Sequence, residues 1–215
     1  MWKKIRDYDK GARKMTSLIM DTSHQYLIIA LYEDGKCMES IQEMGSKRQS
    51  ENAIPYLSSL LEKHHKELKD LDEMIITRGP GSYTGVRVAM TIAKTLSVVS
   101  SIQVKVISSL NAYAMNGKCV SVIDARSQKV FVCAYQDGKP LIDEQMINIS
   151  EFLKFMEDYQ DFKVVGQSEL VGYAHKEVDI AKNMYDLSRK IDAIENVDAL
   201  VPVYLKDVEA KKICL

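Results

Sequence analysis

Chemistry in this chain would have to come from a glycine-rich loop, from two aspartates at strand ends, or from scattered histidines and cysteines. The loop runs Arg78-Gly79-Pro80-Gly81-Ser82-Tyr83-Thr84-Gly85-Val86-Arg87 and follows the apolar run Met74-Ile75-Ile76-Thr77, which reads as a buried strand. Its glycines allow backbone conformations that a Cβ forbids, and Ser82 or Thr84 is placed to cap the helix that follows. Strand, glycine turn and helix N-terminus together suit an anion, with Gly79, Gly81, Ser82, Thr84 and Gly85 as its contacts. No Gly-Lys-Ser/Thr follows, so this is not a Walker A loop, and a tight strand-to-helix connection is the alternative reading. Asp21 and Asp124 each close a short apolar strand and are the acidic candidates for the same site.

Other constellations are thin. There is no Gly-x-Ser-x-Gly elbow, and Ser82 has no recognisable His or Asp partner. His64 and His65 are adjacent, so on a helix they diverge by about 100° and cannot clamp one metal. His24 and His175 are isolated. Cys37, Cys119, Cys133 and Cys214 show no CxxC spacing and read as packing residues or free thiols of a reducing cytoplasm. The sequence therefore offers no catalytic residue and no metal site of its own.

The elements that must position these residues are ordinary. At 215 residues, 46% hydrophobic and 27% charged, the chain suits a globular protein of one large or two small domains. A net charge of −1 and 7% aromatics argue against a self-sufficient nucleic-acid surface, and no run is long enough to span a membrane. Residues 1–14 hold six basic and two acidic side chains without apolar periodicity and read as an extension outside the fold. Strands are expected at Ser17–Met20, Tyr26–Tyr32 and Lys36–Glu43, the last two joined by the hairpin turn Asp34-Gly35. A helix from Ser50, with Ile54, Leu57, Leu60, Leu61 and Leu68 on one face, leads to strand Glu73–Thr77, the helix after the glycine loop, and strand Val104–Ile107.

The helix from Thr84 to Ser100 has an apolar or small arc of about 200°, where a surface helix needs only a little over 100°. Val88, Ile92, Leu96 and Val99 form a bulky side, expected on the sheet. Val86, Ala89, Met90, Ala93 and Ser97, with Lys94, form a small side, expected to face outward as a partner interface. A helix buried on both sides within one domain is the alternative.

The second half starts over. A helical segment near Leu110–Met115 precedes strands at Val120–Ile123, Lys129–Tyr135 and Gln145–Ile149, a capped helix from Ser150 and a strand at Val164-Val165. A shift of 103 lays Asp21 on Asp124, Gln25 on Gln128, Tyr32 on Tyr135 and Asp34-Gly35-Lys36 on Asp137-Gly138-Lys139, six identities in sixteen positions. Two βββ-α-β copies follow, with lobes at 15–108 and 109–215. Beyond Gly166 the copy degrades; Asp186–Ile194 reads as a short helix and Val201–Leu205 as an extended piece.

Ile19-Met20-Asp21-Thr22-Ser23, the loop Arg78–Arg87, Ile123-Asp124-Ala125-Arg126 and Pro202-Val203-Tyr204-Leu205 together resemble the TsaB (YeaZ) family over residues 15 to 210. The resemblance implies an α/β fold of duplicated ribonuclease H-like lobes, as in the actin-like ATPase superfamily. It also implies a non-catalytic scaffold of the machinery that makes N6-threonylcarbamoyladenosine in ANN-decoding tRNAs. Such a scaffold binds and activates TsaD through corresponding N-lobe helices, with the TsaE ATPase docking on that pair and tRNA met only through the complex. Self-pairing of the chain and ATP or ADP at the subunit interface are further expectations, as is a cytoplasmic location. TsaD keeps a His-x-x-x-His metal pair at its first long helix; the matching stretch here, Gln49-Ser50-Glu51-Asn52-Ala53-Ile54, has no histidine. The competing functions are an actin-like ATPase or phosphotransferase using Asp21 and Asp124, and a glycoprotease-like peptidase.

Overall fold

The structure, a computed structural model, describes residues 14–44, 49–114 and 116–205; residues 1–13 of the basic extension and Cys214 lie outside them. Strand β1 (Thr16–Asp21) is buried along its whole length and pairs antiparallel with β2 (Tyr26–Glu33). The Asp34-Gly35 turn, with φ of 47° and 83°, returns β2 into β3 (Lys36–Met44), since both turn positions need the left-handed region. Helix α1 (Gln49–Lys63) then carries the chain to β4 (Glu73–Thr77), parallel to β1, and helix α2 (Tyr83–Ser100) carries it to β5 (Gln103–Ile107), parallel to β4. The order β3-β2-β1-β4-β5 thus joins an antiparallel meander to two helical crossovers, which parallel neighbours require. Ala53, Leu57, Leu60 and Leu61 turn α1 toward Leu18, Met20, Leu27 and Ile29. Ile54 and Leu68, expected on that face, are exposed: Ala53 takes the inward position one step before Ile54, and Leu68 sits in a 3-10 turn beyond the helix.

The second sheet repeats the plan in shorter form. After α3 (Ser109–Ala112) come β6 (Lys118–Arg126), β7 (Lys129–Gln136), β8 (Lys139–Pro140) and β9 (Gln145–Asn148). The one-turn helix α4 (Phe152–Phe155), set between 3-10 turns, leads to β10 (Lys163–Gly166), and the sheet runs β10-β6-β7-β8 with β9 also on β7. β6 pairs antiparallel with β7 and parallel with β10, as β1 does with β2 and β4. The shift of 103 is visible in geometry too. Asp137-Gly138 repeats the turn with φ of 52° and 77°, and Asp21 and Asp124 each accept the amide two residues on at 2.7 Å (Ser23 and Arg126). These are two ribonuclease H-like lobes of the actin-like ATPase fold.

Beyond β10 the copies part. Among the described residues no long helix and fifth strand answer to α2 and β5. Helix α5 (Ile180–Ser188) forms instead, capped by Asp179, whose side chain accepts from the Lys182 amide at 2.9 Å. This displaces the helix expected at Asp186–Ile194: the apolar pattern Ile180, Ala181, Met184 sits after a capping aspartate, while the expected span begins where the pattern ends. Helix α5 and the segment after it return to the first sheet. Ile28, Ala30 and Ile75 of that sheet share one core with Tyr113, Ile123, Tyr135, Ile180 and Met184, so the lobes have a common interior. Among the described residues no helix is long and apolar enough to cross a membrane.

Candidate functional site

The glycine loop spends its special geometry on the turn between β1 and β2. Gly79 lies at φ 95°, its carbonyl accepts the Ser109 amide at 2.8 Å, and a Cβ there would come within 2.9 Å of the Val203 carbonyl. A Cβ at Gly81 would run into the Ser23 carbonyl, and one at Gly85 into that of Thr22. The Ser82 amide donates to the Ser23 carbonyl at 2.7 Å, and the Thr22 hydroxyl to the Gly85 carbonyl at 2.6 Å. Ser82, not Thr84, caps α2, accepting the Gly85 amide at 3.3 Å. Glycine is needed so that α2 can begin directly against another backbone. Of the groups expected to cradle an anion, Gly81 and Gly85 lie against the protein's own turn, while Ser82 and Thr84 are exposed.

Asp21 is fully buried. Its Oδ1 accepts the Ser23 amide and the Thr77 hydroxyl, each at 2.7 Å, and His24 Nε2 lies 2.6 Å from its Oδ2. Burial works against its charge, but His24, Thr77 and Ser23 more than offset this and hold the carboxyl below its ordinary 3.8. Tyr113 completes the chain, its hydroxyl 3.1 Å from His24 Nδ1; burial and the Asp21 charge push that phenol well above its ordinary range. Asp124 is partly exposed and pairs with Arg126 at 3.0 Å. Its amide donates to Gln167 Oε1 at 2.7 Å, and the Gln167 amide reaches Gln25 in the other lobe at 3.2 Å. Asp21 ends β1, whereas Asp124 lies within β6, two residues before its end, at an irregularity in the pairing with β7; the first is sealed and the second is partly exposed. His24, Tyr113 and Gln167 were not singled out by type; Asp-x-x-His across a strand end was the signal available for His24.

His64 pairs with Glu39 at 2.9 Å, and His175 with Glu169 at 3.0 Å. Among the described residues no group of three or more His, Cys, Asp or Glu is placed to hold a metal. Cys119 and Cys133 are buried, and burial pushes the Cys133 thiol up to about 11.

Helix α2 has the opposite facing to that expected. Val86, Ala89, Met90 and Ala93 are at most 4% exposed and pack on the sheet, joined by Leu96. The small stripe Gly85, Ala89, Ala93 faces inward because the helix starts in contact with the Thr22 backbone, which leaves no room for bulk. Ser97 and Lys94 lie at the margin, Lys94 donating to the Asp198 carbonyl at 2.7 Å. The outward arc holds Thr84, Thr91, Thr95, Val98 and Val99, with Val88 and Ile92 half-buried beside them, and carries no charge. Val98 is 74% and Val99 65% exposed. Arg87 borders the arc, 4.0 Å over the Tyr83 ring and bonded to the Tyr204 hydroxyl at 2.9 Å.

Residues 41–214 match the family model described as TsaD, tRNA N6-adenosine threonylcarbamoyltransferase. The tRNA threonylcarbamoyladenosine biosynthesis protein TsaB of Bacillus subtilis is 29% identical, covering 92% of this chain and 96% of that one. TsaB of Haemophilus influenzae is 31% identical over 55% of this chain and 53% of its own. Among solved structures, YeaZ from Pseudomonas aeruginosa superposes with a TM-score of 0.74 at 22% identity, over 89% of this chain and 100% of that one. A second Pseudomonas aeruginosa structure, described as similar to peptidase YeaZ, gives a TM-score of 0.75, also at 22% identity over 89% of this chain and 100% of its own. With the duplicated lobes, the glycine loop and relatives aligned over nearly its whole length, the chain belongs to the TsaB/YeaZ family.

Proposed function

We propose that this chain is a non-catalytic subunit for N6-threonylcarbamoyladenosine formation in tRNA, and that it works by binding and activating a TsaD-type subunit. The observation that carries this reading is the bare outward arc of α2. Seven uncharged residues, five of them exposed, lie along a helix whose other side is already fully packed. An uncharged strip of threonine and valine, with Val98 and Val99 exposed, on a packed helix favours a protein partner. A TsaD-type partner is favoured because its family model also describes residues 41–214 of this chain, so the partner carries a corresponding helix. Docking of TsaE, contact with tRNA through the complex, ATP or ADP held at the subunit interface and a cytoplasmic setting belong to the same reading.

A nucleotide-dependent phosphotransferase is the second reading, and the buried Asp21 with its His24 partner weighs against it. A peptidase is favoured by no constellation among the described residues. The test is to co-purify the chain with its cognate TsaD and measure threonylcarbamoyl transfer to tRNA with and without it. Transfer that needs this chain, and is lost on Thr95→Arg, is the expected result. Transfer by TsaD at full rate without it overturns the proposal.

A further inference from the structure

The turn from β1 to β2 is built differently from its counterpart. Asp21, Thr22 and Ser23 are fully buried and His24 is 8% exposed. Under the shift of 103 the counterparts of Ser23, His24 and Gln25 are Arg126, Ser127 and Gln128, which are exposed and take φ of 65°, 54° and 59°. Topology alone therefore does not require the first turn to be buried. Its side chains reach four other parts of the fold. Asp21 meets Thr77 at the end of β4 at 2.7 Å, and Thr22 meets the Gly85 carbonyl of α2 at 2.6 Å. Ser23 Oγ lies 2.8 Å from Ser109 Oγ at the start of α3, His24 meets Tyr113 just after α3 at 3.1 Å, and Gln25 meets Gln167 just after β10 at 3.2 Å. Buried polar groups are costly unless paired, so such a set fixes the parts it joins.

We propose that residues 21–25 are a latch that holds the two lobes and the first turn of α2 as one body, so that the lobes do not hinge on one another. Rotating one lobe on the other parts Ser23 from Ser109, His24 from Tyr113 and Gln25 from Gln167 together, and strands buried groups on both sides. Helix α5 repeats the attachment on the far face. The Gln42 side chain bonds the Val178 carbonyl at 2.9 Å and the Ile180 amide at 3.1 Å, and Tyr32 stacks on Tyr185 at 4.3 Å. At its end Arg189 pairs with the fully buried Glu73, which Lys105 approaches at 3.4 Å. The proposal does not depend on the identity of the partner.

The test is native-state hydrogen exchange on the full chain without partner, read at the amides of Ser23, Ser82, Ser109 and Asp124 against Ile19 in the centre of β1. All are expected to open with the free energy of Ile19, and to do so unchanged when Mg-ATP is added. Tyr113→Phe combined with Gln167→Ala is expected to speed Ser23, Ser109 and Asp124 by about tenfold or more while leaving Ile19 as it was. Exchange of these amides about tenfold faster than Ile19 in the unmodified chain overturns the latch. So does a change with nucleotide, or a folded double variant with no effect. Where the double variant does not fold, the unmodified chain alone decides.

Discussion

Single positions on α2 separate the roles of its two sides. Ala93 has no exposed surface, so Ala93→Arg forces a charge into the sheet-facing core and is expected to destabilise the chain by about 3–5 kcal/mol, read by chemical denaturation. Thr95 is exposed, so Thr95→Arg is expected to change stability by less than about 0.5 kcal/mol. The same variant is expected to weaken binding to TsaD by about a hundredfold or more in calorimetry. A stable Ala93→Arg chain would reverse the assignment. Glu33 makes a pH prediction. Lys14 at 2.8 Å and Lys66 at 2.7 Å pull its carboxyl from 4.5 to about 2. A lowered folded pKa stabilises above the unfolded value, so this contribution is whole above about pH 4.5 and fades as pH falls toward 2. Lys66→Met should flatten that part of the stability-pH curve, measured by urea midpoints across it.

At the scale of elements, the start of α2 depends on a missing Cβ. Gly85→Ala drives a methyl group into the Thr22 carbonyl and is expected to cost about 1–3 kcal/mol, with the loss seen in the urea midpoint. Gly117→Ala is the control, since nothing lies near its Cβ, although its φ of 90° carries some strain. The strands, both Asp-Gly turns and the duplication were legible in the sequence because period, turn chemistry and identity agree there. The facing of α2 was not. Its apolar arc is wide enough to turn either way, and only contact with the Thr22 backbone, a tertiary fact, puts Ala89 and Ala93 inside. Helix α5 was misplaced because its signal, Asp179 followed by Ile180 and Ala181, is short and polar-flanked. The buried Asp21–His24–Tyr113 chain was invisible because Tyr113 lies in the other half of the sequence.

At the scale of the molecule, one interior serves both lobes. Ile28 and Ile75 on one side and Tyr135 and Met184 on the other belong to a single cluster. Unfolding is therefore expected as one transition, with calorimetric and van't Hoff enthalpies equal; two separated transitions would show lobes that stand alone. The unequal copies have a consequence for valence. The first lobe owns the long helix α2 with its bare arc, while the described part of the second ends its repeat at β10 and turns back through α5. A chain with two such helices, one per lobe, could join head to tail and grow without limit. With one, pairing of α2 with a corresponding helix would use that face up on both molecules, so association of that isologous kind would close at a pair.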